Sequence, residues 1–133
     1  MNQVFLDSVG LIALWVRSDQ WHLAASKAFA DLHAAKRLYV TTAFVLAECG
    51  NAASRRPFRR DVVTLRRRVE GSNGLIQPTD QDWDAAWAKY ERGRPGDAGI
   101  VDCISFAVMR RLGLAEVFSN DQHFAAAGFT TLF

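Results

Sequence analysis

At 133 residues, half of them hydrophobic and 23% charged, the chain has the size and composition of one folded domain and lacks the bias of a disordered or fibrous polymer. A net charge of +2 excludes recognition of a polyanion by bulk charge alone. With no basic lead and long apolar core at the N-terminus and no run of membrane-spanning length, a cytoplasmic protein without membrane contact is expected.

Val4, Phe5 and Leu6 read as a first strand ending at Asp7, and Val9 to Val16 as a helix that is apolar nearly all round. A second helix is expected from Trp21 to about Ala35, where His22, Lys27, Asp31 and Lys36 alternate with Leu23, Ala24, Ala28 and Leu32. Leu38 to Thr41 reads as a second strand. Thr41 or Thr42 then offers a hydroxyl to cap a helix running through Phe44, Glu48 and Ala52, which Pro57 ends.

From Arg59 to near Gly71, Val62, Leu65 and Val69 recur at helical spacing, while the segment RRPFRRDVVTLRRR gathers Arg55, Arg56, Arg59, Arg60, Arg66 and Arg67 away from that stripe. Gly74 to Gln77 suggests a third short strand. Thr79-x-x-Asp82 has the form of a capping box, with Trp83, Trp87 and Tyr90 as the expected buried side of the helix that follows. Gly93 to Gly99, with three glycines and Pro95, reads as a loop; Ile100 to Leu112 as a helix; Val117 to Ser119 as a strand; Thr130 to Phe133 as an edge strand. Strands alternating with helices define an α/β domain, with a central, mostly parallel sheet of four to five strands flanked by helices. Cys49 and Cys103 fall inside helices and read as buried, reduced thiols, and no Cys/His spacing suits zinc.

In such a sheet, functional groups collect beyond the carboxyl ends of the strands. Asp7 directly follows the first strand, and Asp121 follows the Val117–Ser119 strand beside Asn120. Asp102 lies at a helix start, where the dipole favours its charge. Glu48 lies in a helix among Phe44, Val45, Leu46, Ala47 and Cys49, where an unpaired carboxylate is costly to bury. Brought together, four carboxylates repel one another unless a cation holds them ionised. An all-oxygen set selects a hard ion such as Mg²⁺ or Mn²⁺ and suits phosphodiester hydrolysis.

Each acid also has an ordinary structural reading: a strand end for Asp7, a helix-start charge for Asp102, a turn for Asp121, a solvated strip or an arginine partner for Glu48. Aspartyl-phosphate chemistry would want a second Asp two residues after Asp7, where Val9 stands, and no P-loop or dinucleotide glycine fingerprint is present.

The joint pattern resembles the PIN-domain family, particularly VapC-type toxins of bacterial toxin-antitoxin modules. V-F-L-D-S around Asp7, T-T-A-F-V-L-A-E-C ending after Glu48, V-D-C-I-S-F-A-V-M around Asp102 and S-N-D-Q-H-F-A-A-A-G-F around Asp121 carry the resemblance over nearly the whole chain. It implies a single PIN-like domain over residues 1–133. It also implies a homodimer, an antitoxin partner, and an RNA-cleaving site in which Asp7, Glu48, Asp102 and Asp121 bind Mg²⁺ or Mn²⁺. Ser8 matches a hydroxyl position that orients Asp7 or a water, Asn120 is a supporting neighbour, and Asp97 is either an accessory ligand or a loop-solubilising charge. His123 fits a loop-bracing role better than that of a general base.

The arginines fit a phosphate-gripping surface, a solvated helix face or an antitoxin contact about equally. At their helical spacings Trp15, Trp21, Trp83 and Trp87 fit core or subunit interface better than base stacking. The leading reading is a metal-dependent endoribonuclease toxin. Its alternatives are a housekeeping RNA-processing or DNA-end nuclease of the same fold, and a non-catalytic binding module whose acids serve only capping and solubility.

Overall fold

The computed structural model describes residues 2–133. The elements run β1 (Gln3–Leu6), α1 (Ser8–Trp15), α2 (His22–Ala34), β2 (Leu38–Val40), α3 (Ala43–Ala53), α4 (Arg59–Gly71), α5 (Asp80–Glu91), α6 (Ile100–Leu112), β3 (Glu116–Phe118), α7 (Gln122–Ala126) and β4 (Thr130–Thr131). The four strands form one parallel sheet in the order β2-β1-β3-β4, with Phe5 opposite Val40 on one side and Val117 on the other. Val4, Phe5 and Leu6 are fully buried, as a strand covered by helices on both faces must be. From β1 the chain crosses to β2 on one side, whereas β3 leads to β4 on the other. The crevice between the ends of β1 and β3 is therefore the topological switch point.

Local chemistry sets the helix starts that matter to the site. Asp7 caps α1 by accepting the N–H of Val9, Thr42 caps α3 by accepting that of Val45, and Asp121 caps α7 by accepting that of His123. Thr41 instead donates its hydroxyl to the carbonyl of Leu6 at 2.8 Å, tying β2 to the end of β1. The capping box at Thr79 and Asp82 forms as its sequence predicts, and Asp82 also holds Arg111 at 2.9 Å.

Three expectations are corrected. Gly74 to Gln77 is not a strand: it makes only the Thr41–Leu75 bridge before Pro78, which lacks an N–H, carries the chain away. Gly74 itself passes so close to β2 that a Cβ there would lie 2.1 Å from the Tyr39 carbonyl oxygen.

Trp83 packs partly buried against the α5–α6 core, but Trp87 and Tyr90, contrary to expectation, are not on the buried side of α5. That role falls to Asp82 and Ala86, because small Ala86 lets α5 close onto Cys103 and Ile104 of α6. The aromatics form an outer row, Phe44 against Trp83, Trp83 against Trp87 and Trp87 against Tyr90, with Trp87 52% and Tyr90 47% exposed. The segment after β3, read as a loop, contains the short helix α7. Cys49 and Cys103 are buried free thiols. None of the described helices is long and apolar enough to cross a membrane.

Candidate active site

The crevice at the switch point holds all four acids. Asp7, at the end of β1, is fully buried. Its Oδ2 accepts hydrogen bonds from the Ser119 hydroxyl at 2.9 Å and the Val9 N–H at 3.2 Å, whereas its Oδ1 is buried with no partner. Burial, and then the charge of Asp102, push its pKa up from 3.8 to about 7 despite the Ser119 bond. Asp102, in the first turn of α6, is raised to about 6 by burial and by the charges of Asp121 and Glu48. The helix dipole expected to favour its charge, worth about 0.3–1 kcal/mol, is outweighed by dry surroundings and like charges.

Glu48 departs from its sequence reading. It lies on the open face of α3, not inside an apolar layer, and Ser8 donates its hydroxyl to Oε1 at 3.0 Å. Desolvation still raises its pKa against that bond. Ser8 thus orients Glu48, whereas the hydroxyl that orients Asp7 belongs to Ser119.

Asp121, Asp102 and His123 bring one ligand-type atom each within 4.8 Å of one another, and Asp7 and Glu48 flank this group as its electrostatic neighbours. His123 Nδ1 stands 3.1 Å from Asp121 Oδ1 and 3.9 Å from Asp102 Oδ2, while Nε2–H donates to the Gly96 carbonyl at 2.8 Å. That carbonyl, and then the neighbouring acids, raise the pKa of His123. One ring therefore fastens the glycine-rich loop to the acid cluster.

The other candidates fall further out. Asp97 is exposed, its Oδ2 taken by the Arg94 N–H at 2.8 Å within its own loop. Asn120 is half-buried and makes no side-chain hydrogen bond among the described residues. Arg55 and Arg56 line a groove with Ile12, Asn51 and Ala52, one turn along α3 from Glu48. Arg59, Arg60 and Arg67 line a second surface depression with Val63 and Thr64, and Arg66 pairs with Glu70.

A hard divalent cation fits this set. Removing a carboxylate oxygen from water without a partner is costly, so the orphaned Oδ1 of Asp7 marks where positive charge belongs. The other acids offer carboxylates and no thiolate: Cys49, which follows Glu48, is held protonated by a pKa pushed up to about 12, burial being the largest cause.

Ser119 is the residue that sequence reasoning missed, since as the last position of a strand it carried no signal beyond the neighbouring Asp121. It also accepts the Asp121 N–H at 3.1 Å, so one hydroxyl joins two of the acids. Ser119→Ala is expected to weaken divalent-metal affinity by about 10–100-fold, as loss of such a partner does. Metal titration followed by thermal shift checks this, and unchanged affinity would mean that Asp7 holds its orientation without Ser119.

The sequence matches the PIN domain family over residues 4–130, and the chain belongs to that family. Among solved structures it is similar to the crystal structure of Mycobacterium tuberculosis VapC20, a sarcin-ricin loop cleaving toxin, at 27% identity with a TM-score of 0.78, covering 96% of each chain. A search of curated protein sequences gave no significant match.

Proposed function

We propose that the protein is a metal-dependent endoribonuclease and the toxin of a type II toxin-antitoxin pair. The orphaned Oδ1 of Asp7, buried within electrostatic reach of Asp102 and Asp121, is the observation that carries this reading. Asp7, Glu48, Asp102 and Asp121 would hold Mg²⁺ or Mn²⁺. When bound, such a cation activates water and offsets the negative charge that grows on the phosphate and the leaving oxygen.

The chain's own side chains do the positioning. Ser119 aims Asp7, Ser8 aims Glu48, and His123 holds Asp121 against the glycine-rich loop. Asp97 acts by ordering its own loop and not as an accessory ligand. Arg55 and Arg56, nearest to Glu48, are assigned to the RNA backbone; Arg59, Arg60, Arg66 and Arg67, on the outer face of α4, to an antitoxin protein. The aromatic row of Phe44, Trp83, Trp87 and Tyr90, with Trp87 and Tyr90 exposed, is assigned to a second copy in a homodimer, and the cytoplasm is the assigned compartment. The likeness to a toxin that cleaves the sarcin-ricin loop favours RNA over DNA and a toxin over a housekeeping role.

The test is cleavage of labelled single-stranded RNA, sarcin-ricin loop RNA and DNA with Mg²⁺, Mn²⁺ or EDTA, alongside Asp102→Asn. Cutting of RNA is expected with either metal and is expected to vanish with EDTA or in the variant. Equal cutting under all conditions would overturn the four-acid site, and preference for DNA would overturn the toxin assignment.

A further inference from the structure

Behind His123 lies a cavity of about 230 Å³, bounded by the end of α5, the 93–99 loop, the start of α6 and α7. Its lining includes Lys89, Arg92, Asp97, Cys103, Phe106 and His123. Phe106 is almost fully buried and gives it an apolar floor. The Lys89 stem folds over that floor and leaves Nζ 5.8 Å from the centre of the Phe106 ring.

Two features give this cavity a sign. Neither Lys89 nor Arg92 forms an ion pair among the described residues, whereas Lys27, Arg37, Arg66 and Arg111 each have a carboxylate partner. The acid in the lining, Asp97, is turned into its own loop by the Arg94 N–H. Two cations thus share a half-open space with one preoccupied carboxylate, and an anion is the ligand that such a space takes.

Its place in the molecule narrows the anion. The wall it shares with the acid cluster is a single imidazole, whose Nδ1 stands 3.1 Å from Asp121, and Cys103 in its lining directly follows Asp102. A strand whose phosphate lies at the acids must pass close to this cavity. Pockets for whole small molecules begin at about 300 Å³, so this smaller space suits a phosphate with part of its sugar.

We propose that the cavity is a phosphate subsite, in which Lys89 and Arg92 hold a backbone phosphate of the RNA strand next to the one being cleaved. The RNA identity of the ligand rests on the nuclease reading; the phosphate chemistry does not. Lys89 and Arg92 are positioning residues that offset the repulsion between the acid cluster and an incoming polyanion.

The test uses the isotope-labelled full chain in EDTA, so that no metal draws phosphate to the acids. Inorganic phosphate or adenosine 5′-monophosphate is titrated while the amide signals of Gly93 and Cys103 are followed. Both signals are expected to shift in the wild type and to stay still in Lys89→Gln and in Arg92→Glu; Arg92 is exposed at the end of α5, so its variant keeps the fold. With RNA and metal, each variant is expected to raise KM by about tenfold, the loss falling on KM rather than kcat, as removal of a charge-assisted contact to bound strand predicts.

Unmoved signals in the wild type, or wild-type KM in Arg92→Glu, would overturn the subsite. Anion binding that Lys89 and Arg92 control, in a protein that cuts no RNA, would uphold the subsite and overturn the nuclease reading instead. Stronger shifts with the nucleotide than with free phosphate support a strand ligand; equal shifts in a variant and the wild type would overturn the role of the two cations.

Discussion

Replacing Asp7 by Asn is expected to cut RNA cleavage by about three orders of magnitude, the scale of losing several kcal/mol of charge stabilisation, while making the metal-free protein more stable at pH 8. The second half follows from proton linkage. The carboxyl is raised from its ordinary 3.8 to about 7 in the folded chain, so between those values the folded state binds more protons than the unfolded one. Stability of the metal-free protein then falls as pH rises through that window.

Above pH 7 the full cost of ionising a buried carboxylate is present, at most about 4 kcal/mol at 1.36 kcal/mol per tenfold. Asn remains neutral and still caps α1, so the variant loses the charge and keeps the cap. Its advantage should be largest at pH 8 and gone near pH 4. Asp102→Asn should behave in the same sense over a narrower window, since its carboxyl rises only to about 6.

Thermal melts from pH 4 to 8, with Mg²⁺ or with EDTA, read this directly. Metal should raise the melting temperature of the wild type above pH 7 and leave Asp7→Asn unmoved. An Asp7→Asn protein that melts below the wild type at pH 8 in EDTA would show that the native carboxylate is satisfied within the fold.

Gly10→Ala is expected to destabilise the fold by more than about 3 kcal/mol, beyond the usual 1–3 kcal/mol of an overpacked core. A Cβ at Gly10 would stand 2.2 Å from the carbonyl oxygen of Phe118, a backbone atom of a central strand that has no rotamer to escape into. The same closeness of α1 to β3 holds Asp7 beside Ser119 and the chain leading to Asp121, so relief of the clash would also open the site. Gly50→Ala is the control: it lies mid-helix on α3 with nothing within 4 Å of the added Cβ, and it should stabilise by about 0.5–1 kcal/mol. Chemical denaturation of the two variants checks both signs. A Gly10→Ala protein of normal stability would mean that α1 and β3 do not press together as described.

Much of the site was legible because position along a strand is written in sequence. An acid directly after a buried apolar run, as at Asp7, lies at a strand's carboxyl end whatever the sheet order. What periodicity could not supply was orientation. Trp83, Trp87 and Tyr90 recur along α5 as convincingly as any core residues, yet the buried line turns toward Asp82 and Ala86 at their edge, since small Ala86 allows α5 and α6 to approach. Glu48 shows the same limit: its apolar sequence neighbours surround it along the chain, not in space. The bond from Ser119 to Asp7 spans 112 positions and had no local signal at all. The five residues of α7 were too few for a pattern to show.

That long-range bond bears on when the crevice can form. β1 precedes by more than a hundred residues the strand that completes its far edge, and the serine and aspartate that close the crevice arrive only with residues 116–121. Until then a nascent chain carries three of the four carboxylates with nothing to gather them. The crevice is therefore complete only once β3 and the residues that follow it dock onto the first strand, and any chemistry its acids support waits on that late step of folding.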